Sequence, residues 1–226
     1  MLGKATNSAS CVSCHGAHTV AKPQQRGTQL CATCHETAVK QFAASVHGRE
    51  RRRGNGDAPK CNDCHGAAHK TLAASDASST TSKTRLPETC GRCHSNPEFA
   101  HKYMFVIAKP VEAYQASVHG KAIRAGKMNA ASCNDCHGVH DILPARDQRS
   151  AIAKARVAST CAKCHEPVFN VYKESIHGRA VAAGVRGSPT CTDCHGEHQI
   201  LGPGDPGSPV AASNVSRVTC SHCHAD

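Results

Sequence analysis

Sixteen cysteines stand in this chain, and none of them stands alone. They form eight Cys-x-x-Cys pairs, and His follows every pair at once. The first four are Cys11-Val12-Ser13-Cys14-His15, Cys31-Ala32-Thr33-Cys34-His35, Cys61-Asn62-Asp63-Cys64-His65 and Cys90-Gly91-Arg92-Cys93-His94. The last four are Cys133-Asn134-Asp135-Cys136-His137, Cys161-Ala162-Lys163-Cys164-His165, Cys191-Thr192-Asp193-Cys194-His195 and Cys220-Ser221-His222-Cys223-His224. His makes up 17 of the 226 residues. Eight such followers by chance would have odds on the order of one in a billion.

Cys-x-x-Cys-His is the attachment signal of c-type haem. The two-residue gap sets the thiols at the separation of the porphyrin's two vinyl groups, and each thiol adds across one vinyl as a thioether. The next residue, His, then takes one axial position on iron. Eight motifs predict eight covalently attached haem c groups. Other uses of paired cysteines fit less well. Disulfides need no adjoining His. Zinc ribbons take Cys pairs two at a time with variable neighbours. Thioredoxin-like pairs occur singly in βαβ settings, and no run here has strand alternation.

Haem also answers a deficit in composition. Leu, Ile, Val and Phe together make only 32 of the 226 residues, and Trp is absent. That is roughly 14%, below the ~20% under which a charged chain usually stays disordered. Flat macrocycles replace the missing interior, and the apoprotein is expected not to fold.

Eight motif histidines leave nine. His222 lies inside the last motif, where the thioether loop constrains it. The others are His18, His47, His69, His101, His119, His140, His177 and His198, one for each iron. Bis-histidine ligation throughout is the simplest assignment. Three of them occur as Ser-x-His-Gly, at His47, His119 and His177, each fourteen residues before the next Cys. Four follow a motif closely: His18, His69, His140 and His198. Three residues reach at most about 10 Å when extended. A post-motif His therefore cannot round its own haem to the opposite face, and is expected to ligate a neighbouring one. His101 lies in an insertion with Met104, a weaker ligand.

The motifs and their spare histidines repeat. Copies begin at Cys31, Cys90 and Cys161, giving two-haem units at 31–89, 90–160 and 161–219, with half-units at 1–30 and 220–226, in one domain spanning 1–226. Leu72, Leu143 and Leu201 each precede an Asp by four residues, and a Ser follows each Asp by three. Residues 71–85, Ser/Thr-rich in isolation, are on that register an ordered loop. The second copy carries about thirteen extra residues between His94 and His119. A fourth Ser-x-His-Gly is missing, so one haem needs its ligand from His101, from Met104 or from another chain.

The expected fold class is mostly coil with short helices and negligible β-structure. Helices are expected at residues 36–45, 110–117 and 166–175, the latter two with Pro near their starts, and at 151–158. No run of 18 apolar residues exists, so no membrane span is expected. Residues 1–10 show no signal-peptide pattern.

These residues resemble the multihaem c-type cytochromes. They are most similar to the periplasmic and extracellular electron carriers with Cys-x-x-Cys-His-Gly-x-His and Ser-x-His-Gly signatures, a group that includes decahaem cytochromes of outer-membrane conduits and small tetrahaem and pentahaem carriers. The resemblance covers residues 11–224. It implies an electron relay in respiratory or extracellular electron transfer, not an enzyme. The implied partners are redox proteins of the cell envelope: a quinol-oxidising membrane cytochrome, or an outer-membrane or extracellular cytochrome. A periplasmic or extracellular location follows, since haem is attached outside the cytoplasm. Multihaem nitrite reductases and hydroxylamine oxidoreductases are similar in haem number but much longer, and no Cys-x-x-Cys-Lys variant occurs here. Two alternatives stay open. One is a reductase with one open haem for a small nitrogen or sulfur oxyanion; the other is a subunit of a conductive cytochrome filament.

The formal charge is +10. Eight haems, with two propionates each, bring it to about +2 oxidised and about −6 reduced. The Arg49, Arg51, Arg52 and Arg53 run reads as a solvated face, or else as a match for propionates or for an acidic partner. Aromatics at 3% give no support for nucleic-acid binding.

Overall fold

The computed structural model describes residues 9–18 and 27–224. Along them run α1 (Cys11–His15), α2 (Gln29–Ala44), α3 (Val46–Arg52), α4 (Cys61–His65), α5 (Leu86–His94) and α6 (Pro97–Lys102). Then come α7 (Pro110–Ala116), α8 (Val118–Arg124), α9 (Cys133–His137), α10 (Val157–Glu174), α11 (Ile176–Ala182) and α12 (Cys191–His195). A 3-10 turn at Ala68–Lys70 and a π-helical turn at Val215–Cys220 complete the set. No strand occurs among the described residues. Short helices joined by coil and turns are the expected fold class.

A Gly directly after a motif's His ends the motif helix there, leaving a five-residue helix in α1, α4, α9 and α12. Gly16, Gly66, Gly138 and Gly196 all take φ between 77° and 87°, with ψ near 180°. That region is open essentially to Gly alone. Where Gly is absent the outcome varies: α5 ends at His94 and the π-helical turn ends at Cys220, while two helices run on through a kink. His35 (φ −116°, ψ 44°) bends α2 and His165 (φ −110°, ψ 40°) bends α10. The helices expected at 36–45 and 166–175 therefore start earlier, at Gln29 and Val157, because the motifs are themselves helical. Residues 151–156 form turns rather than helix.

Ser-x-His-Gly is a helix corner. Ser45, Ser117 and Ser175 cap α3, α8 and α11, each hydroxyl accepting from the Gly amide three residues on at 3.0–3.1 Å. The same hydroxyls donate back to Phe42, Tyr114 and Tyr172 carbonyls at 2.6–2.7 Å. Glycine is required by the crossing that results. A Cβ on Gly48, Gly120 or Gly178 would lie 2.0–2.2 Å from the carbonyl oxygen of Phe42, Tyr114 or Tyr172.

The Leu–Asp–Ser segments are ordered loops with the same bonds in each. Ser79, Ser150 and Ser208 are buried and donate to Leu72, Leu143 and Leu201 carbonyls at 2.9–3.3 Å. Asp76, Asp147 and Asp205 each accept from the amide two residues on at 2.8–3.0 Å, a side-chain turn that stands in for a backbone one.

No apolar core lies between these elements. The buried hydrophobic residues are Ala58, Ile123, Ala153, Val157, Ala158 and Ala211, and the largest fully buried side chains are serines. The polypeptide exposes 15604 Å², against roughly 9,800 Å² for a compact chain of this mass. The interior is left for something other than side chains.

Candidate metal sites

The motif helices pack in chain order: α4 on α5, α5 on α9, α9 on α10 and α10 on α12. Thiol contacts mark the same line. Cys31 lies beside Cys61, Cys90 beside Cys133, and Cys161 beside Cys191. Cys194 lies near Cys220 and Cys223. All sixteen cysteines are free, and no disulfide joins them. No cluster of three or more His, Cys, Asp or Glu suited to a bare metal ion occurs among the described residues.

Six motif histidines each face a second imidazole. The pairs are His15 with His69, His65 with His140, His137 with His198, His94 with His47, His165 with His119, and His224 with His177. Ring centres are 5.8–6.1 Å apart in every pair. Two metal–nitrogen bonds of about 2 Å, with roughly 1 Å more from each nitrogen to its ring centre, place two axial imidazoles about 6 Å apart. A haem iron fits between the members of each pair.

Local chemistry suits that role. A ligating imidazole must be neutral. Burial, aided by the neighbouring His94, pushes His47 down to about 4. Burial, then His198 and His94, does the same to His137. Burial also lowers His65, His94, His119 and His198. Nδ1 of His198 is buried without a hydrogen-bond partner, as at a site shaped around a group the polypeptide does not itself contain. The missing core and the paired imidazoles together fit haem.

The pairs obey a rule in sequence. Each Ser-x-His-Gly imidazole reaches forward to the motif His 46 or 47 residues on: His47 to His94, His119 to His165, His177 to His224. Three of the four post-motif imidazoles reach back to the Gly-type motif before their own: His69 to His15, His140 to His65, His198 to His137. The constant forward interval was present in the sequence and is the signal that names these partners. The backbone stitches the same segments, with Val46 and Val118 amides donating to Ile142 and Ile200 carbonyls at 2.8 Å.

Five imidazoles stand outside these pairs: His18, His35, His101, His195 and His222, all exposed. His101 on α6 faces no other imidazole, and Met104 is 86% exposed. The insertion does a different job. Phe105 stacks on the His94 ring at 5.0 Å. Tyr103 donates to Asp57 at 2.6 Å, and Lys102 pairs with Asp57 at 2.7 Å. The arginine run is used locally: Arg49 pairs with Asp147 at 3.7 Å, Arg53 with Glu50 at 2.6 Å, and Arg51 and Arg52 donate to Ala58 and Ala43 carbonyls. Sequence reasoning also missed Thr89, Thr160 and Thr219. Each stands just before a motif and donates at 2.7 Å to a loop carbonyl nine or ten residues back.

Residues 144–226 match the family described as Cytochrome c7 and related cytochrome c, and residues 4–40 match a doubled CXXCH motif family. A protein of Shewanella baltica (strain OS185), called multiheme cytochrome MtrA, is 24% identical over 212 residues. The alignment covers 89% of this chain and 54% of the relative, so the chain spans about half the relative's length. No solved structure matches. No described helix is long and apolar enough to cross a membrane.

Proposed function

We propose that this chain, which resembles multihaem c-type cytochromes over most of its length, is an eight-haem electron relay of the cell envelope. The observation that carries the reading is the set of six imidazole pairs, each at a haem-bridging separation, on motifs that neighbour one another in chain order.

Bound haem iron would supply one-electron chemistry between ferric and ferrous states. The chain's own residues do the rest. Each Cys pair would hold a haem covalently, and each motif His would ligate its iron. His47, His69, His119, His140, His177 and His198 would supply a second imidazole to six of them, a ligand set that would not change between oxidation states. The contacts Cys31–Cys61, Cys90–Cys133 and Cys161–Cys191 bring attachment edges of successive sites together. Because each distal His comes from a neighbouring unit, the units 31–89, 90–160 and 161–219 interlock into one domain over 1–226. The partners in this reading are redox proteins of the periplasm or cell surface, because covalent haem is attached outside the cytoplasm.

The reductase alternative has one support, the absence of a facing imidazole at His35 and His195. The test sets fully reduced protein against ferricyanide and, separately, against nitrite, hydroxylamine and tetrathionate. A relay is reoxidised completely by ferricyanide and consumes none of the other three catalytically. Sustained turnover of any of them overturns the relay reading.

A further inference from the structure

The six imidazole pairs differ in how their planes meet. Where the second imidazole follows a motif, the planes lie closer to parallel: 22° at His65–His140 and 16° at His137–His198, with 32° at His15–His69. Where it comes from Ser-x-His-Gly, they are more crossed: 59° at His94–His47 and 55° at His165–His119, with 34° at His224–His177. The four successive motifs at His65, His94, His137 and His165 therefore alternate, 22°, 59°, 16° and 55°. The origin is local. His47 and His119 are the second residues of α3 and α8, just behind a capping Ser, so the helix corner fixes the direction from which each ring arrives. His140 and His198 instead leave stretches begun by a positive-φ Gly.

His94 has a further support. Phe105 lies against its ring at 5.0 Å and within 18° of parallel. Tyr103 stacks on Phe105 in turn, at 6.2 Å and 24°. The Tyr103 hydroxyl is anchored on Asp57 at 2.6 Å and on Asn55 at 3.1 Å. Met104, between the two aromatic residues, has φ 49° and is the only non-glycine with positive φ among the described residues. A residue with a side chain takes that conformation at an energetic cost. The turn it makes sets the Tyr103 and Phe105 rings one over the other.

An axial imidazole donates through its π system to the iron d orbital that lies perpendicular to its plane. Parallel rings act on the same orbital, raise it above its partner and so stabilise the ferric state. Crossed rings act on both orbitals alike and give no such stabilisation. The surroundings that orient a ligand thereby tune the iron. We propose that the sites of these four motifs alternate between two electronic types, with the crossed sites at His94 and His165 at the higher potential, and that Phe105 is the positioning residue that keeps the His94 plane crossed. The proposal rests on the haem reading above. On reduction each ferric iron takes one electron from the titrant, dithionite, and no ligand, proton or bond is exchanged.

The test is electron paramagnetic resonance of the haem-loaded chain, first fully oxidised and then reduced stepwise with dithionite. Two families of low-spin signal are expected: rhombic signals from the near-parallel pairs, and signals with a single low-field feature from the crossed pairs. The crossed family should disappear first. His119→Ala should remove one member of the crossed family, and His140→Ala one member of the rhombic family. Phe105→Leu should move one crossed signal toward the rhombic family and lower the potential at which it vanishes. Phe105→Tyr should keep both as in the wild type, and Val106→Ala, at a fully exposed neighbour, should change neither. A single family of signals, or rhombic signals that vanish first, overturns the alternation. Phe105→Leu with wild-type signals and potentials, or Phe105→Tyr that behaves as Phe105→Leu does, overturns the role of Phe105. Turnover of nitrite, hydroxylamine or tetrathionate, or a chain without haem by mass, fails the relay reading instead, and neither is read from these signals.

Discussion

Gly120→Ala is a severe test of how the distal ligands are placed. A Cβ at this position would lie 2.2 Å from the Tyr114 carbonyl oxygen and 2.9 Å from Gln115 Cα, both backbone atoms of the preceding corner. Ordinary contact begins at 3.4 Å, so α8 must retreat from α7 by about 1 Å, several times the ~0.2 Å that a metal–ligand distance tolerates. His119 lies one residue before Gly120 on α8 and moves with it, away from His165. Overpacking of this kind costs about 1–3 kcal/mol, or on the order of 5 °C in Tm for a chain of this length. The assay is electron paramagnetic resonance of the oxidised protein beside a thermal melt. One iron should leave the low-spin population, with all eight haems still attached. Gly56→Ala is the control, because nothing lies within 4 Å of its Cβ. A Gly120→Ala protein with wild-type spin count and Tm would refute the corner-and-crossing account of Ser-x-His-Gly.

His119→Ala should produce the same single high-spin iron without the loss of stability from overpacking; an unchanged low-spin count removes His119 from the ligand set. Ser150→Ala leaves the Leu143 carbonyl unmet in a buried loop and should cost about 1–3 kcal/mol, read as a lowered denaturation midpoint. Apoprotein expressed without haem attachment should give the circular dichroism of an unfolded chain, since no apolar core remains to hold it; native-like helicity would contradict this. Asp57 is held below the usual carboxylate range by its hydrogen bonds to Lys102 and Tyr103. Its contribution is therefore present above the unfolded carboxyl's pKa and fades as acid protonates it. Asp57→Asn should lower Tm at neutral pH and converge on the wild type at low pH; a gap that persists in acid refutes the pairing.

Much of the site was legible because covalent haem attachment imposes a fixed spacing on Cys and His, and that spacing survives in a linear string. The Ser-x-His-Gly and post-motif contexts were equally visible, and the Leu–Asp–Ser register identified residues 71–85 as ordered. Three of the four post-motif histidines, His69, His140 and His198, stand beside motif histidines of other units, while His18 faces none. What the string concealed was three-dimensional. The forward partner of each Ser-x-His-Gly imidazole depends on how units interlock, although the 46–47 interval held the clue. His101 attracted attention by residue type, yet the insertion around it works through Phe105 against His94 and Tyr103 with Lys102 on Asp57. Helix starts were misplaced at Gln29 and Val157 because the Cys-x-x-Cys-His stretch has no apolar periodicity, while its fold is helical all the same.

Iron positions from anomalous scattering of crystals of the haem-loaded chain bear most directly on the central claim. Eight iron peaks are predicted, in file from Cys11 to Cys223, six of them between the imidazoles of His15 and His69, His65 and His140, His137 and His198, His94 and His47, His165 and His119, and His224 and His177. Zinc in place of iron, or irons lying outside those six pairs, would contradict it.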